Sequence, residues 1–105
     1  LMSKSVECEL ADLDDGKLVT AVGDVDFSCS SELRRAIQEA LVGNPQRLVI
    51  DLKGVDYMDS SALGMLLVLR EQAGGDGSNI TIKNCKSDIE KILEVSNFKN
   101  LFKMT

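Results

Sequence analysis

A polar step that leads directly into an apolar segment constrains this chain more than any other feature. Asp59, Ser60 and Ser61 precede the run ALGMLLVL at 62–69, and the apolar stretch LVIDL at 48–52 comes shortly before them. The pattern predicts a buried strand followed by a buried helix. Two adjacent hydroxyls would then lie at the strand-to-helix corner, open to solvent and to a partner, with a rigid helix behind them. Such a corner suits a phosphorylation switch better than a catalyst.

The segments before this corner predict a hairpin and then a helix. Partial alternation over 6–13 indicates an edge strand, and Asp14-Asp15-Gly16 is a typical hairpin turn. Residues 18–22 form the returning strand, which the segment 23–26 breaks. The next helix has a cap at Ser28 or Ser30, and Gly43 and Pro45 end it. Its apolar stripe consists of Leu33, Ile37, Ala40 and Leu41.

The remaining segments alternate between strand and helix. Residues 47–52 form the most apolar strand, which should be central, and a helix from about Ser61 to Ala73 should be buried on more than one face. A short strand follows at 79–83, and Ser87 with Glu90 forms a capping box for a third helix. Asn97 suits a left-handed residue at the end of that helix, after which Phe98, Leu101 and Phe102 fold back onto the core. The order β-β-α-β-α-β-α predicts an α/β fold, a mixed sheet with helices mainly on one face.

Composition favours a single small domain and argues against several partners. The chain has 105 residues and a net charge of −5, with its basic residues scattered, so we expect no nucleic-acid partner. No apolar run approaches the roughly 20 residues that a bilayer requires, so we expect no membrane partner and no targeting segment. We expect one domain over 2–105, with Leu1 as a cloning remnant. The three cysteines form no CxxC pair, as expected for reduced thiols in a cytoplasmic protein.

The chain contains no histidine. Nucleophilic triads and imidazole metal sites are therefore excluded, and we expect neither a catalytic site nor a metal or cofactor. Three weaker candidates have simpler explanations. The glycine-rich segment 74–78 follows a helix instead of opening one, so it is a turn and not a phosphate loop. Residues 51–54 resemble a GTPase metal motif without its phosphate loop, and the aspartates at 12, 14 and 15 fit a solvated hairpin turn.

The corner itself has two explanations. Asp59 or a serine could simply cap the helix. However, three polar residues stand where one cap is enough, and a helix N-terminus favours an added phosphate. A phosphoserine there would add about −1.5 to −2 charges. If Asp24, Asp26 and Asp56 lie close to it, the corner would become strongly negative and a docked partner would be released.

These residues carry a resemblance to a known family. Residues 49–52 and 58–64 resemble the signature of STAS-domain anti-anti-sigma factors, also called anti-sigma factor antagonists. Residues 23–26 resemble the family's Gly-x-x-Asp element, and 96–98 with 101–102 resemble its C-terminal pattern. Ala62 and Asn97 each replace a glycine that is usual in the family. The resemblance spans residues 6–102 and implies a mixed sheet of four to five strands with helices.

The resemblance also implies a function and a site. Ser60 would be the phosphoacceptor, and the partner would be an anti-sigma factor that is often itself a GHKL-type serine kinase. The unphosphorylated form would bind this partner, the phosphorylated form would release it, and a PP2C-like phosphatase would reverse the modification. Asp26 would border the docking surface, and we expect that surface to comprise Asp24, Asp26, Asp59, Ser60, Ser61 and Ala62.

Two other functions remain open at this point. The chain could be a STAS module without a phosphoswitch, which binds a ligand or serves as a scaffold in a transport or signalling complex. It could also be a hydrolase or transferase in which Lys53 activates Ser60, although the sequence has no oxyanion-hole motif.

Overall fold

A computed structural model describes residues 6–26 and 31–105 of the chain. Two short 3-10 turns, at Gly75–Gly77 and Phe98–Asn100, connect the later elements. The expected caps Ser28 and Ser30, and Cys29 between them, lie outside the described residues. The described strands are β1 (Glu7–Leu13), β2 (Gly16–Val25), β3 (Arg47–Met58), β4 (Ile80–Lys83) and β5 (Lys103–Met104), and the helices are α1 (Ser31–Leu41), α2 (Ser60–Gln72) and α3 (Ser87–Val95).

The strands form one five-stranded sheet in the order β1-β2-β3-β4-β5. β1 and β2 pair antiparallel through the tight turn at Asp14 and Asp15, whereas the other neighbouring strands pair in parallel. The predicted hairpin, the edge position of β1 and the central position of β3 are therefore confirmed.

All three helices cover the same face of the sheet. Val19, Ile50 and Ile82 are fully buried cross-strand neighbours, and they share one hydrophobic cluster with residues of α1, α2 and α3. The side chains on this face of the sheet and the buried side chains of all three helices thus form one core, as expected when the helices pack on that face. The predicted α/β class, a mixed sheet with helices mainly on one face, is confirmed.

Strands β2 and β3 are longer than the sequence predicted. β2 continues through the segment 23–26 as far as Val25, with register irregularities between Thr20 and Val22 and between Gly23 and Asp24. The predicted break there was wrong, because β2 stays paired with β3 as far as Val25, and the extra residue at each irregularity lies on β3. β3 likewise continues six residues past Leu52, to Met58, and so carries the chain directly to the corner.

The C-terminal segment is partly as predicted. The capping box was wrong, because α3 begins at Ser87 itself and its N-cap, Lys86, makes no side-chain cap. Asn97 is left-handed with φ of 63°, as expected. The rings of Phe98 and Phe102 are buried and stack with their centroids 5.4 Å apart. This packing brings the chain end back to the sheet as β5.

Helix α2 is buried on one side and exposed on the other. Its core side consists of Ala62, Met65, Leu66 and Leu69. Leu67 and Val68, however, are 39% and 55% exposed, so burial on more than one face was a wrong expectation for this part of the helix. Among the described helices, none is both long and apolar enough to span a bilayer.

Candidate functional site

The corner between β3 and α2 consists of the single residue Asp59. β3 ends at Met58 and α2 begins at Ser60. Asp59 has extended backbone angles (φ −112°, ψ −174°), and its N–H donates a hydrogen bond of 3.2 Å to the carbonyl oxygen of Val25. This bond attaches the corner to the end of β2, so the sheet fixes the position where α2 begins.

Asp59 is the N-cap of α2. Its Oδ1 accepts hydrogen bonds from the backbone N–H of Ser61 at 3.0 Å and from that of Ala62 at 3.4 Å. The same oxygen also accepts from the hydroxyl of Ser61 at 2.5 Å. The capping role expected for either an aspartate or a serine is thus performed by Asp59, with Ser61 as its bonded neighbour.

The two serines therefore differ in availability. Ser60 is exposed, and within the described ranges its hydroxyl has no hydrogen-bond partner. Ser61 is half-buried, and its hydroxyl is engaged by Asp59. An exposed hydroxyl on a fixed helix start can enter a kinase active site without the loss of an internal hydrogen bond. Of the two serines, Ser60 is therefore the one whose hydroxyl is accessible.

Three further aspartates lie at or next to the ends of the two strands that meet at this corner. Asp24 and Asp26 flank Val25, the residue that accepts the hydrogen bond from Asp59, and both are half-buried. Asp56 is exposed two residues before the end of β3 and forms an ion pair with Lys86 at the start of α3. A negative group added at Ser60 would therefore join a surface that already carries carboxylates.

A phosphate on Ser60 would find the first turn of α2 already occupied. The N–H groups of Ser61 and Ala62 bond to the Asp59 carboxylate, and those of Ala62 and Leu63 also donate to its backbone carbonyl oxygen. The hydrogen bonds that the sequence suggested for the phosphate are thus largely taken. The added charge would instead extend into solvent, where it changes the surface and not the helix.

The structure brings most of the predicted partner-binding residues to one place. Asp24, Asp26, Asp59, Ser60 and Ser61 all lie at this corner and are at least partly exposed. Ala62 is different, because it is fully buried in the hydrophobic core. Its side chain is therefore absent from the surface that a partner could contact.

The other sequence candidates do not lead to a second site. Residues 75–77 form a turn between α2 and β4, and Asp51 accepts hydrogen bonds from the N–H of Lys53 and the side chain of Asn84. Lys53 lies in β3 five residues before Met58, which at ~3.3 Å per residue is roughly 16 Å along the strand. Among the described residues, no hydrogen bond joins the amine of Lys53 to Ser60, so the structure gives no support to Lys53 as the base of the hydrolase alternative.

One feature beside the corner was missed by the sequence analysis. A groove of ≈ 330 Å³ lies between α1 and α2 and begins at Ser61. Two local signals could have indicated it: a glycine at 64 in the interior of a helix, and apolar residues at 67 and 68 on the side of α2 opposite its core. Neither signal reveals a groove until the position of α1 is known.

Comparison with known proteins decides the family. The profile described as "Mlab, STAS domain" matches residues 8–103 of this chain. The chain belongs to the STAS-domain family. It is 45% identical over 83 residues to the STAS-domain containing protein PA14_20770 of Pseudomonas aeruginosa. The alignment covers 79% of this chain and 81% of that protein. The resemblance inferred from the Asp-Ser-Ser corner is thus confirmed.

Other relatives of this STAS domain are named as antagonists of anti-sigma factors. It is 31% identical over 70 residues to the anti-sigma-F factor antagonist RsfB of Mycobacterium tuberculosis, an alignment that covers 67% of this chain and 57% of RsfB.

Two solved structures share the fold of this STAS domain. An anti-sigma factor antagonist from Mycobacterium paratuberculosis superposes with a TM-score of 0.87 at 22% identity, over 95% of this chain and 85% of that one. SpoIIAA of Bacillus in its phosphorylated form superposes with a TM-score of 0.70 at 15% identity, over 93% of this chain and 90% of that one.

Proposed function

We propose that this STAS domain is an anti-sigma factor antagonist in a partner-switching pathway. Its unphosphorylated form binds an anti-sigma factor that is also a GHKL-type serine kinase, and phosphorylation of Ser60 releases that partner. The observation that carries the proposal is the difference between the two serines, with Ser60 exposed and Ser61 bonded to Asp59. The names of the relatives support the same class of partner.

The release mechanism is electrostatic and local. The kinase transfers the γ-phosphoryl group of ATP to Oγ of Ser60, with ADP as the leaving group and the hydroxyl proton passing to the kinase. The new group carries about −1.5 to −2 charges and extends from a corner that contains Asp24, Asp26 and Asp59. A partner that covers this corner then faces repulsion and must desolvate a dianion, so its complex dissociates faster.

The remaining parts of the pathway act on the same residue. A PP2C-like phosphatase removes the phosphate and restores the binding form, and the cycle takes place in the cytoplasm, where it regulates transcription. The STAS domain is a substrate and a binding protein in this scheme, not an enzyme. Only its surface changes, because within the described ranges the hydroxyl of Ser60 makes no hydrogen bond that phosphorylation would break.

Paired variants of Ser60 test the proposal. Ser60→Ala should retain the partner under all conditions, whereas Ser60→Asp should weaken binding, each measured by pull-down from the native host followed by titration of the purified partner. Ser61→Ala is the matched control and should keep most of the phosphorylation. Equal partner affinity in the Ala, Asp and wild-type proteins would refute the switch.

A further inference from the structure

The groove between α1 and α2 has an apolar floor and a polar rim. Its floor contains Ile37, Met65 and Leu69, all buried in the core. Arg34 and Ser61 stand on its rim, and the side-chain amide of Gln38 donates to that of Gln72 at 3.1 Å and bridges the two helices. From Ser61 to Gln72 the groove follows twelve residues of α2, and the eleven steps between them span roughly 16 Å at about 1.5 Å per residue.

Gly64 keeps this groove open. Glycine in a helix interior is unfavourable relative to alanine, and such a residue usually compensates by allowing a close contact inside the protein. Among the described residues no such contact is seen, because, apart from its chain neighbours and the backbone of its own helix, nothing lies within 4 Å of the position that a Cβ of Gly64 would occupy. The space beside Gly64 is therefore open toward the groove and not filled by the part of the chain that the structure describes.

Arg34 gives the groove an available positive charge. The neighbouring Arg35 is held by Glu32 and Glu39 at 2.7 and 2.5 Å. Arg34, in contrast, is exposed, and among the described residues it has no ion pair. In a chain of net charge −5, an unpaired guanidinium beside an apolar floor favours a carboxylate as its partner.

The exposure of the rim favours a chain segment over a small molecule. Small-molecule sites enclose most of their ligand, whereas this groove is lined along its length by the exposed residues Arg34, Gly64 and Val68. Val68 is 55% exposed and would extend the apolar contact beyond the floor. At ~3.3 Å per residue, the length of the groove matches about five residues of an extended peptide.

We propose that this groove receives an extended segment of the partner protein, in which an apolar side chain packs on Val68 and the accessible edge of Met65 while a nearby carboxylate pairs with Arg34. The inference rests on the proposed function, since the groove begins at Ser61, next to the phosphoacceptor. It adds an anchoring contact that is separate from the charge switch. The corner sets when the partner leaves, and the groove sets which sequence of the partner is recognised.

A random library of 12-residue peptides displayed on phage, selected against the purified unphosphorylated protein, tests the groove directly. We expect the selected peptides to share an apolar residue within three positions of Asp or Glu. As synthetic peptides in fluorescence anisotropy, they should bind Gly64→Leu and Arg34→Gln at least tenfold more weakly than wild type, and Arg34→Lys should recover part of the loss.

Gly77→Leu is the matched control. It also places a leucine where a glycine has open space around it, but outside the groove, and should bind like wild type. The inference is overturned if no peptides are selected, if Gly64→Leu binds them as well as wild type does, or if they need no carboxylate. Binding of decanoate at this site without selection of peptides would also overturn it, in favour of a small-molecule ligand.

The two proposals fail separately. The peptide measurements use unphosphorylated protein with Ser60 intact, so their failure leaves the Ser60 switch standing. Conversely, if the Ser60 variants bind the partner like wild type while the peptides behave as expected, the switch fails and the groove remains a recognition site.

Discussion

Asp59 and Ser60 are adjacent, yet their side chains do opposite things. The carboxylate of Asp59 accepts three hydrogen bonds from the first turn of α2, whereas the hydroxyl of Ser60 is exposed and has no such bond within the described ranges. Stability therefore depends on the aspartate, and the serine is available for modification. A residue that carries a reversible charge is best kept apart from the interactions that hold the helix.

Replacement of Asp59 should destabilise the protein. Asp59→Ala removes the N-cap and should lower the free energy of unfolding by about 1 kcal/mol. Asp59→Asn keeps an accepting oxygen and should lose only a few tenths of that. Urea denaturation followed by circular dichroism measures both variants. Equal stability of Asp59→Ala and wild type would contradict the capping role.

Two cysteine thiols should react slowly in the folded protein. Burial raises the pKa of Cys8 and of Cys85 from the ordinary value of 9.0 to about 11. Since the thiolate is the nucleophile, folding lowers its population at pH 8. Alkylation of these two residues by iodoacetamide at pH 8 should be at least ~10-fold slower in native than in urea-unfolded protein. Peptide mapping distinguishes Cys8 and Cys85 from Cys29. Equal alkylation rates in native and unfolded protein would contradict the protection of these two thiols by folding.

At the scale of elements, glycine has a different role at each of two positions. Gly16 opens β2 directly against β3, where a Cβ would lie 1.7 Å from the carbonyl oxygen of Arg47. Gly64 lies in the interior of α2 with open space at the corresponding position. The first glycine is required by the approach of two strands, whereas the second leaves room outside the helix.

Alanine at these two glycines should therefore change stability in opposite directions. Gly16→Ala should destabilise the protein by about 1–3 kcal/mol, because the backbone of β3 must move. Gly64→Ala should stabilise it by about 1 kcal/mol through helix propensity. Parallel thermal and urea unfolding of the two variants tests the pair, and a destabilising Gly64→Ala would mean that the helix packs more tightly there.

Elements with local signals were predictable from the sequence. The hairpin followed from Asp14-Asp15-Gly16, and the corner followed from a polar step between two apolar runs. The extension of β2 past Gly23 was not predictable, because a glycine and two aspartates are typical of a loop and only the pairing with β3 shows that the strand continues to Val25. The cap of α3 was misread because a capping box sequence also fits residues already inside the helix.

The site was predictable in its residues but not in its extent. Asp59, Ser60 and Ser61 are adjacent in sequence, so their meeting needs no tertiary information. The burial of Ala62 and the groove beside Gly64 depend on where the sheet and α1 lie relative to α2, which the sequence pattern of one helix does not contain.

At the scale of the whole molecule, the proposed switch should leave the fold unchanged. One hydrophobic cluster joins the sheet to all three helices, and the Cα radius of gyration is 12.6 Å. Ser60 lies at the edge of this body with its side chain outside the cluster. In the proposed switch, surface charge and not a change of shape would therefore carry the signal to the partner.

A phosphomimetic should accordingly keep the native structure. Ser60→Asp should alter the free energy of unfolding by no more than about 0.5 kcal/mol, as for other surface substitutions, because a favourable helix dipole and repulsion by Asp59 oppose each other. Small-angle scattering should give the same radius of gyration as wild type. A clear expansion or a large loss of stability would show that the charge acts on the fold.

The intact mass of this protein purified from its native host tests the central claim most directly. Wild type and Ser61→Ala should each carry a single phosphate, and Ser60→Ala should carry none. A phosphate that persists in Ser60→Ala but disappears in Ser61→Ala would contradict the assignment of Ser60. The absence of phosphate from wild type under every growth condition would contradict the switch itself and favour a STAS module that binds without phosphorylation.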